Sequence, residues 1–392
     1  MGNHASSFNG QKSDGKSAGL YIHVPFCRTI CPYCDFYSII SPPEAFEAYI
    51  GALAVEADLK SKTEFGDFDY DTVFLGGGTP STLNEYQISR LFKSIRRNFR
   101  IKSDAEITIE CNPSSVNESK LRVYRDIGIN RISLGIQSFS DNHLKKLGRL
   151  HGPIGARRAY YSVRDAGFEN VSFDLIYGHS NQTITDWWED LDTAIWLMPE
   201  HISAYNLIIE PGTPYGKLFS KGKMPLPSEE EQYEMYNLLN VTLKEYQFGR
   251  YEISNFAQED FQCRHNLKYW RNEPYLGLGP SAVSFNGKAR SKNVSEIKDY
   301  LSALAQDQLP DREIEELDNA KMIEERIMMS LRLTSGLNLR KFKFDFGFDI
   351  LETKSEEIIK LIDNGYLSLC NGIMTLTEKA LFISNEVILK LI

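Results

Sequence analysis

The sequence lacks any long apolar run, and no stretch approaches the ~18 residues a helix needs to cross a membrane. It lacks an excess of basic charge: 44 Lys and Arg stand against 53 Asp and Glu, for a formal net charge of -9. Such a chain has no global attraction for phosphate backbones or anionic membranes, which leaves only local basic sites open. Cysteine is sparse, six in 392 residues, which excludes a disulfide-dense scaffold. No low-complexity tract is present. With 42% hydrophobic and 25% charged residues, the chain is neither disordered nor collagen-like. Its length allows one large or two smaller domains with ample core. The segment Met1–Ala18 is polar and has no apolar centre of the kind a signal peptide needs, so a disordered tail is expected. Met1 to Ser6 fits the loose myristoylation pattern, which we read as chance. A soluble, cytoplasmic protein is expected.

From Gly19 to about Tyr251, strand-like apolar runs alternate with helical patterns. The strand candidates are 20–24, 72–75, 106–109, 131–135, 171–176 and 202–209. They read as continuous apolar runs, the pattern of parallel strands buried on both faces. Ile88, Leu91, Phe92, Ile95 and Phe99 share one helical face, and Phe46, Ile50, Leu53 and Ala57 another. Six repeated β-α units predict an α/β fold, a partial (β/α)6 barrel (residues 19–256) with its chemistry at the C-terminal strand ends. A connecting segment (257–310) and a small α+β unit (311–392) follow. In that unit, helices over 319–333 and 350–363 precede a hairpin turning at Asn371-Gly372. The order is winged-helix-like, but Lys354-Ser355-Glu356-Glu357 is too acidic for a DNA reader. No nucleic-acid partner is expected.

The strongest signal follows the first strand: Cys27, Cys31 and Cys34 in the spacing C-x3-C-x2-C, flanked by Pro25 and Pro32. Three thiolates on one short loop hold three irons of a 4Fe–4S cubane and leave the fourth with an open position. Structural zinc, with Cys263 or His265 as fourth ligand, is the competing reading, but C-x3-C-x2-C is unusual for zinc. Buried free thiols, or a Cys31–Cys34 redox pair that leaves Cys27 unexplained, are the others. After the second strand comes Gly76-Gly77-Gly78-Thr79-Pro80-Ser81. It is neither a P-loop nor a dinucleotide fingerprint. Glu110, Gln137, Arg149 and Asp174 stand at or just beyond successive strand ends, where a buried charge needs a partner.

These motifs resemble the radical S-adenosylmethionine (SAM) superfamily. Within it, nearly the whole chain resembles the branch that holds the oxygen-independent coproporphyrinogen III oxidases and the haem chaperones of the HemW type. The resemblance implies that SAM chelates the open iron through its amino and carboxylate groups. One electron from the cluster then yields methionine and a 5′-deoxyadenosyl radical. It also implies that Tyr21, Tyr33, Gly77, Gly78, Thr79, Glu110, Gln137, Arg149, Asp174 and Ile208 contact SAM. His179-Ser180 departs from the Leu-Pro frequent in the family and adds an imidazole expected near the mouth.

Two features separate the branches. The oxidases carry a further cysteine two residues after the third ligand, where this chain has Phe36. The chaperones carry a His-Asn-x-x-Tyr-Trp motif, intact here as His265-Asn266-Leu267-Lys268-Tyr269-Trp270. Haem iron takes imidazole readily, and Tyr269 and Trp270 offer flat surface to a porphyrin. The resemblance therefore implies haem bound through His265 and passed to a haem-accepting protein, with an electron donor for the cluster. Cys263 is a candidate second ligand or attachment point, though a plain buried thiol explains it as well. His151 and His179 are weaker candidates, and His23 is expected to be structural. The alternative is the oxidase itself, decarboxylating porphyrinogen propionates to vinyls. A third reading, a winged-helix regulator with a sensing cluster, lacks a basic recognition helix.

Overall fold

A computed structural model of the chain describes residues 16–392. The tail expectation for residues 1–15 and the Met1–Ser6 pattern lie outside the described residues. Ser17 and Ala18 are not tail: they open the first strand, and Ser17 pairs with Asp69.

Six strands form a consecutive parallel array. They are β1 (Ser17–Val24), β2 (Asp69–Gly77), β3 (Arg100–Cys111), β4 (Arg131–Gln137), β5 (Val171–Tyr177) and β6 (His201–Asn206). Helices connect them, and local sequence sets the helix ends. Helix Glu85–Asn98 begins at a capping box between Asn84 and Gln87 and buries Ile88, Leu91, Phe92 and Ile95. Helix Ile184–Trp196 begins at a second box, Thr183 with Asp186.

The strand reading needs one correction. These strands are not apolar on both faces. Ile107 and Ile109, Ile132 and Leu134, Phe173 and Leu175 face the helices and join the main hydrophobic core. Their alternating neighbours, Glu110, Arg131, Ser133, Gln137, Asp174 and Ser203, line an interior chamber. Period-2 alternation with the polar set turned inward marks a hollow barrel wall.

The sheet extends at both edges. β7 (Gly249–Arg250) and β8 (Asn255–Ala257) add antiparallel to β6. At the other edge β9 (Tyr275–Leu278) lies parallel to β1, followed by β10 (Val283–Phe285), β11 (Ala289–Asn293) and β12 (Asp311–Glu316). The resulting order is β12-β11-β10-β9-β1-β2-β3-β4-β5-β6-β8-β7. Residues 257–310 are thus built into the main sheet. So is β12, which the sequence reading placed in the C-terminal unit: it pairs with β11, and Lys60 reaches Asp311 at 2.7 Å.

The C-terminal unit starts at the helix Asn319–Ser330, capped by Asp318. An unforeseen helix, Leu339–Phe346, follows and ends at left-handed Gly347. The expected helix over 350–363 is broken at Lys354 into Ile350–Thr353 and Ser355–Asp363. β13 (Leu337–Asn338), β14 (Leu367–Cys370) and β15 (Ile373–Leu376) form a small antiparallel sheet in the order β13-β15-β14. Asn371 and Gly372 both have positive φ, as the expected two-residue turn requires.

Candidate functional site: cluster loop, barrel chamber and floor

The cysteine loop leaves β1 at the C-terminal mouth of the barrel. Its neck is closed by Cys27 N–H to Ile39 O (2.9 Å) and Ile39 N–H to Pro25 O (2.7 Å). Phe26 anchors it, stacked on Phe46 at 4.0 Å between centroids. Within the loop, Cys34 N–H donates to Cys31 O at 3.1 Å. Cys27 Sγ lies 3.4 Å from Thr79 Oγ1, and Arg149 Nη1 donates to Cys31 Sγ at 3.6 Å. Burial raises the Cys27 thiol and pushes Cys34 up to about 11. Coordination to iron reverses that preference, because a bound cation favours the thiolate. Among the described residues no three His, Cys, Asp or Glu side chains are grouped to hold a single metal ion. The three thiols line one cavity, with Arg149 as counter-charge to Cys27 and Cys31.

The glycine run is fastened to that loop. Gly78 N–H donates to Val24 O and Thr79 N–H to Phe26 O, both at 2.8 Å. A Cβ on Gly77 would sit 2.6 Å from the His23 ring, and one on Gly78 2.8 Å from the Pro25 carbonyl carbon. The glycines therefore serve close packing of β2 against β1 as well as approach to a ligand. His23 is structural, as expected: Nε2 meets Tyr37 O at 2.8 Å and Nδ1 the Tyr21 hydroxyl at 3.1 Å.

Below the mouth lies a chamber of about 660 Å3, within the range of small-molecule sites. Tyr21, Tyr33, Gly77, Gly78, Thr79, Glu110, Gln137, Arg149, Asp174 and Ile208 all line it. Glu110 is half-buried, accepts Gly77 N–H at 3.3 Å, and is pushed up to about 8 by desolvation and then by Asp174. Asp174 is also raised by burial, although Ser133 donates to both its oxygens, at 3.1 and 3.0 Å. Arg149 Nε and Arg131 Nε are buried without partners. Two half-buried carboxyls and two incompletely bonded guanidiniums fit a ligand that carries both cationic and carboxylate groups. SAM carries an ammonium, a sulfonium and a carboxylate. Gln137 holds a left-handed backbone (φ 71°) at a register shift between β4 and β5. Such a bulge re-aims a side chain at the cost of strain. Ile208 is 72% exposed and sits on the rim, because β6 ends at Asn206 and not at 209 as its apolar run suggested.

The floor of the barrel is the helix Arg264–Trp270. Glu106 accepts the backbone N–H groups of Arg264 and His265, each at 3.1 Å, and so tethers the helix start to β3. His265 is not at a surface turn. It is 1% exposed, its Nδ1 lies 2.8 Å from Thr72 Oγ1, and its Nε2 lies 2.9 Å from the Tyr269 hydroxyl. Burial lowers it to about 3, so the ring is neutral. Both ring nitrogens are engaged, and Trp270, expected to offer flat surface, packs against a small core with Cys263 and Leu267. Cys263 is fully buried and its thiol is pushed up to about 12, which makes it inert.

Two further candidates do not line the chamber. His151 is buried with Nε2 on Ile136 O at 3.0 Å. His179 is buried against His143, with ring centroids 4.6 Å apart, so its imidazole is not at the mouth. The residues overlooked are Arg131, Ser133 and Ser203. Their signal was the alternation itself: Arg131-Ile132-Ser133-Leu134 places charge and hydroxyl on one face of a buried strand.

The chain matches the family models "Radical SAM superfamily" over residues 21–194 and "HemN C-terminal domain" over residues 317–383. It is 35% identical to "Heme chaperone HemW" of Bacillus subtilis, covering 94% of this chain and 97% of that protein. It is 32% identical to the protein of the same name from Lactococcus lactis, over 95% and 96%. The Escherichia coli counterpart is 38% identical, over 67% and 68%. Among solved structures, coproporphyrinogen III oxidase (HemN) of Escherichia coli superposes with a TM-score of 0.83 at 24% identity, covering 96% of this chain and 90% of that one. That likeness establishes the shared fold. With the cysteine loop, the barrel chamber and near full-length similarity in agreement, the chain belongs to the HemW family of radical SAM proteins.

Proposed function

We propose that this protein is a haem chaperone that holds a SAM-ligated 4Fe–4S cluster and delivers haem to an acceptor protein in the cytoplasm. The observation that carries the reading is its similarity along almost the full length of relatives named as haem chaperones. Cys27, Cys31 and Cys34 are the cluster ligands, and Thr79 and Arg149 hold the first two thiols in place. The cluster, when bound, supplies an electron for reductive cleavage of SAM. Around it, Glu110 and Asp174 offer carboxyls to cationic groups, and Arg149 is the partner for a carboxylate. Gln137 projects from its bulge into the same space.

His265 is the proposed haem ligand. Iron bonds an unprotonated nitrogen, and burial keeps this ring neutral. The six cysteines are free, in keeping with a reducing compartment. Among the described residues no helix is long and apolar enough to cross a membrane.

Anaerobic haem titration of cluster-reconstituted protein, followed at the Soret band in wild type and His265→Ala, tests the reading. Saturable one-to-one binding that weakens sharply in the variant supports it. Absence of specific binding in wild type removes it and leaves coproporphyrinogen decarboxylation as the activity to assay.

A further inference from the structure

A second cavity, of about 550 Å3, lies outside the barrel wall between β1 and the edge strands β9 to β11. Its walls include the rings of Tyr37, Tyr269 and Tyr275, with Phe36 at the cluster-loop side and Lys292 on β11. Phe36 is 67% exposed and offers an uncovered ring face there. Tyr21, Asp35, Phe36 and Tyr269 line both this cleft and the central chamber, and so stand between them. Tyr269 also occupies His265: its hydroxyl lies 2.9 Å from Nε2, and its ring meets the imidazole edge-on at 5.1 Å.

We infer that this side cleft is the entry site for haem, a planar aromatic dicarboxylate, and that Tyr269 is a gate that leaves His265 Nε2 before iron binds it. The inference rests on the haem-binding reading above and assigns that reading a place and a moving part.

The chemistry supports each half. A porphyrin face is satisfied by aromatic walls, and its propionates need a cation at one edge only. Lys292 on β11 supplies that cation. Thr72 fixes the imidazole. In the tautomer whose Nδ1–H donates to Thr72 Oγ1, Nε2 is unprotonated and accepts from the Tyr269 hydroxyl, and it is this nitrogen that would bond iron. Binding then exchanges one neutral hydrogen bond for an iron–nitrogen bond, with no proton or electron to place.

The test compares ferric haem binding to full-length, cluster-reconstituted wild type, Tyr269→Phe, Lys292→Ala and His265→Ala. Tyr269→Phe keeps the ring and removes the placeholder hydroxyl. It is expected to bind haem roughly threefold to tenfold tighter, the worth of one neutral hydrogen bond, with an unchanged Soret position. Lys292→Ala is expected to weaken haem binding about two- to fivefold, as for a partly exposed ion pair. The same change should leave binding of haem dimethyl ester, which has no carboxylates, unaltered. Wild-type binding that His265→Ala abolishes but neither Tyr269→Phe nor Lys292→Ala changes overturns the cleft and the gate while sparing the chaperone reading. No binding by wild type overturns the chaperone reading itself.

Discussion

The two ends of the barrel differ in how completely their polar groups are bonded. At the mouth, Arg149 Nε has no partner, Glu110 has one long hydrogen bond and a raised pKa, and Gln137 is strained. At the floor, His265 uses both ring nitrogens, Glu106 accepts two helix N–H groups, and His201 bonds both Ser172 and Tyr251, while Arg131 Nε beside them has no partner. A protein leaves buried polar groups short of partners where a ligand will complete them and closes the network where shape must hold. The mouth therefore has the bonding capacity that the proposed ligand would fill. The floor is built largely as structure, and the proposed exchange of one bond, Tyr269 to His265, would give it a second use.

The largest expected effect is at the mouth. Cys31→Ala should abolish the broad visible absorbance of the reconstituted cluster, while chemical denaturation of the apoprotein moves little. An apoprotein that collapses instead would make the loop structural. Next is the floor. Glu106→Ala strips acceptors from two buried N–H groups and a buried negative charge from beside Arg131, so a loss of about 3 kcal/mol of stability is expected by denaturant titration.

Glu110→Gln should reverse that pattern, with weaker SAM binding and little or no loss of stability. Its pH dependence follows from the raised pKa. The folded protein holds a proton on Glu110 up to about pH 8, whereas the unfolded chain releases it near 4.5. The stabilising contribution is full below 4.5 and is lost as pH rises to about 8. The variant's stability should be flatter across that window. SAM, as a cation, should displace the proton on binding to wild type, detectable by calorimetry in buffers of different ionisation enthalpy. The smallest effect is at the bulge: Gln137→Gly relieves a left-handed backbone and should raise stability by about 1 kcal/mol while weakening SAM binding. A loss of stability there would place Gln137 with the floor residues, as structure.

Much of the site was legible because its residues are local. Cys27, Cys31 and Cys34 fall within one short loop, and Gly77, Gly78 and Thr79 within another, so both groups stand out in the sequence, while the SAM role of the second came from the family resemblance. Glu110, Gln137 and Asp174 were legible through position, since parallel strands deliver their C-terminal ends to one rim. His265 was visible as a motif, but its environment was not. The residues that enclose it come from Thr72 and Glu106 on separate strands, and no local pattern announces that contact. The boundary at Asp311 misled for a similar reason: a proline-containing break looks the same whether the next strand starts a domain or closes the edge of a sheet.

The sequence by itself determined the β-α alternation, the cysteine loop, the glycine run and the hairpin at Asn371-Gly372. Each depends on residues within one turn, one strand or one short loop. Only the tertiary structure decided that the strands' inner face is polar and hollow, that the His265 helix plugs the floor, and that Tyr269 stands between two cavities. Those facts depend on which strands become neighbours, and that choice is made by packing over the whole chain.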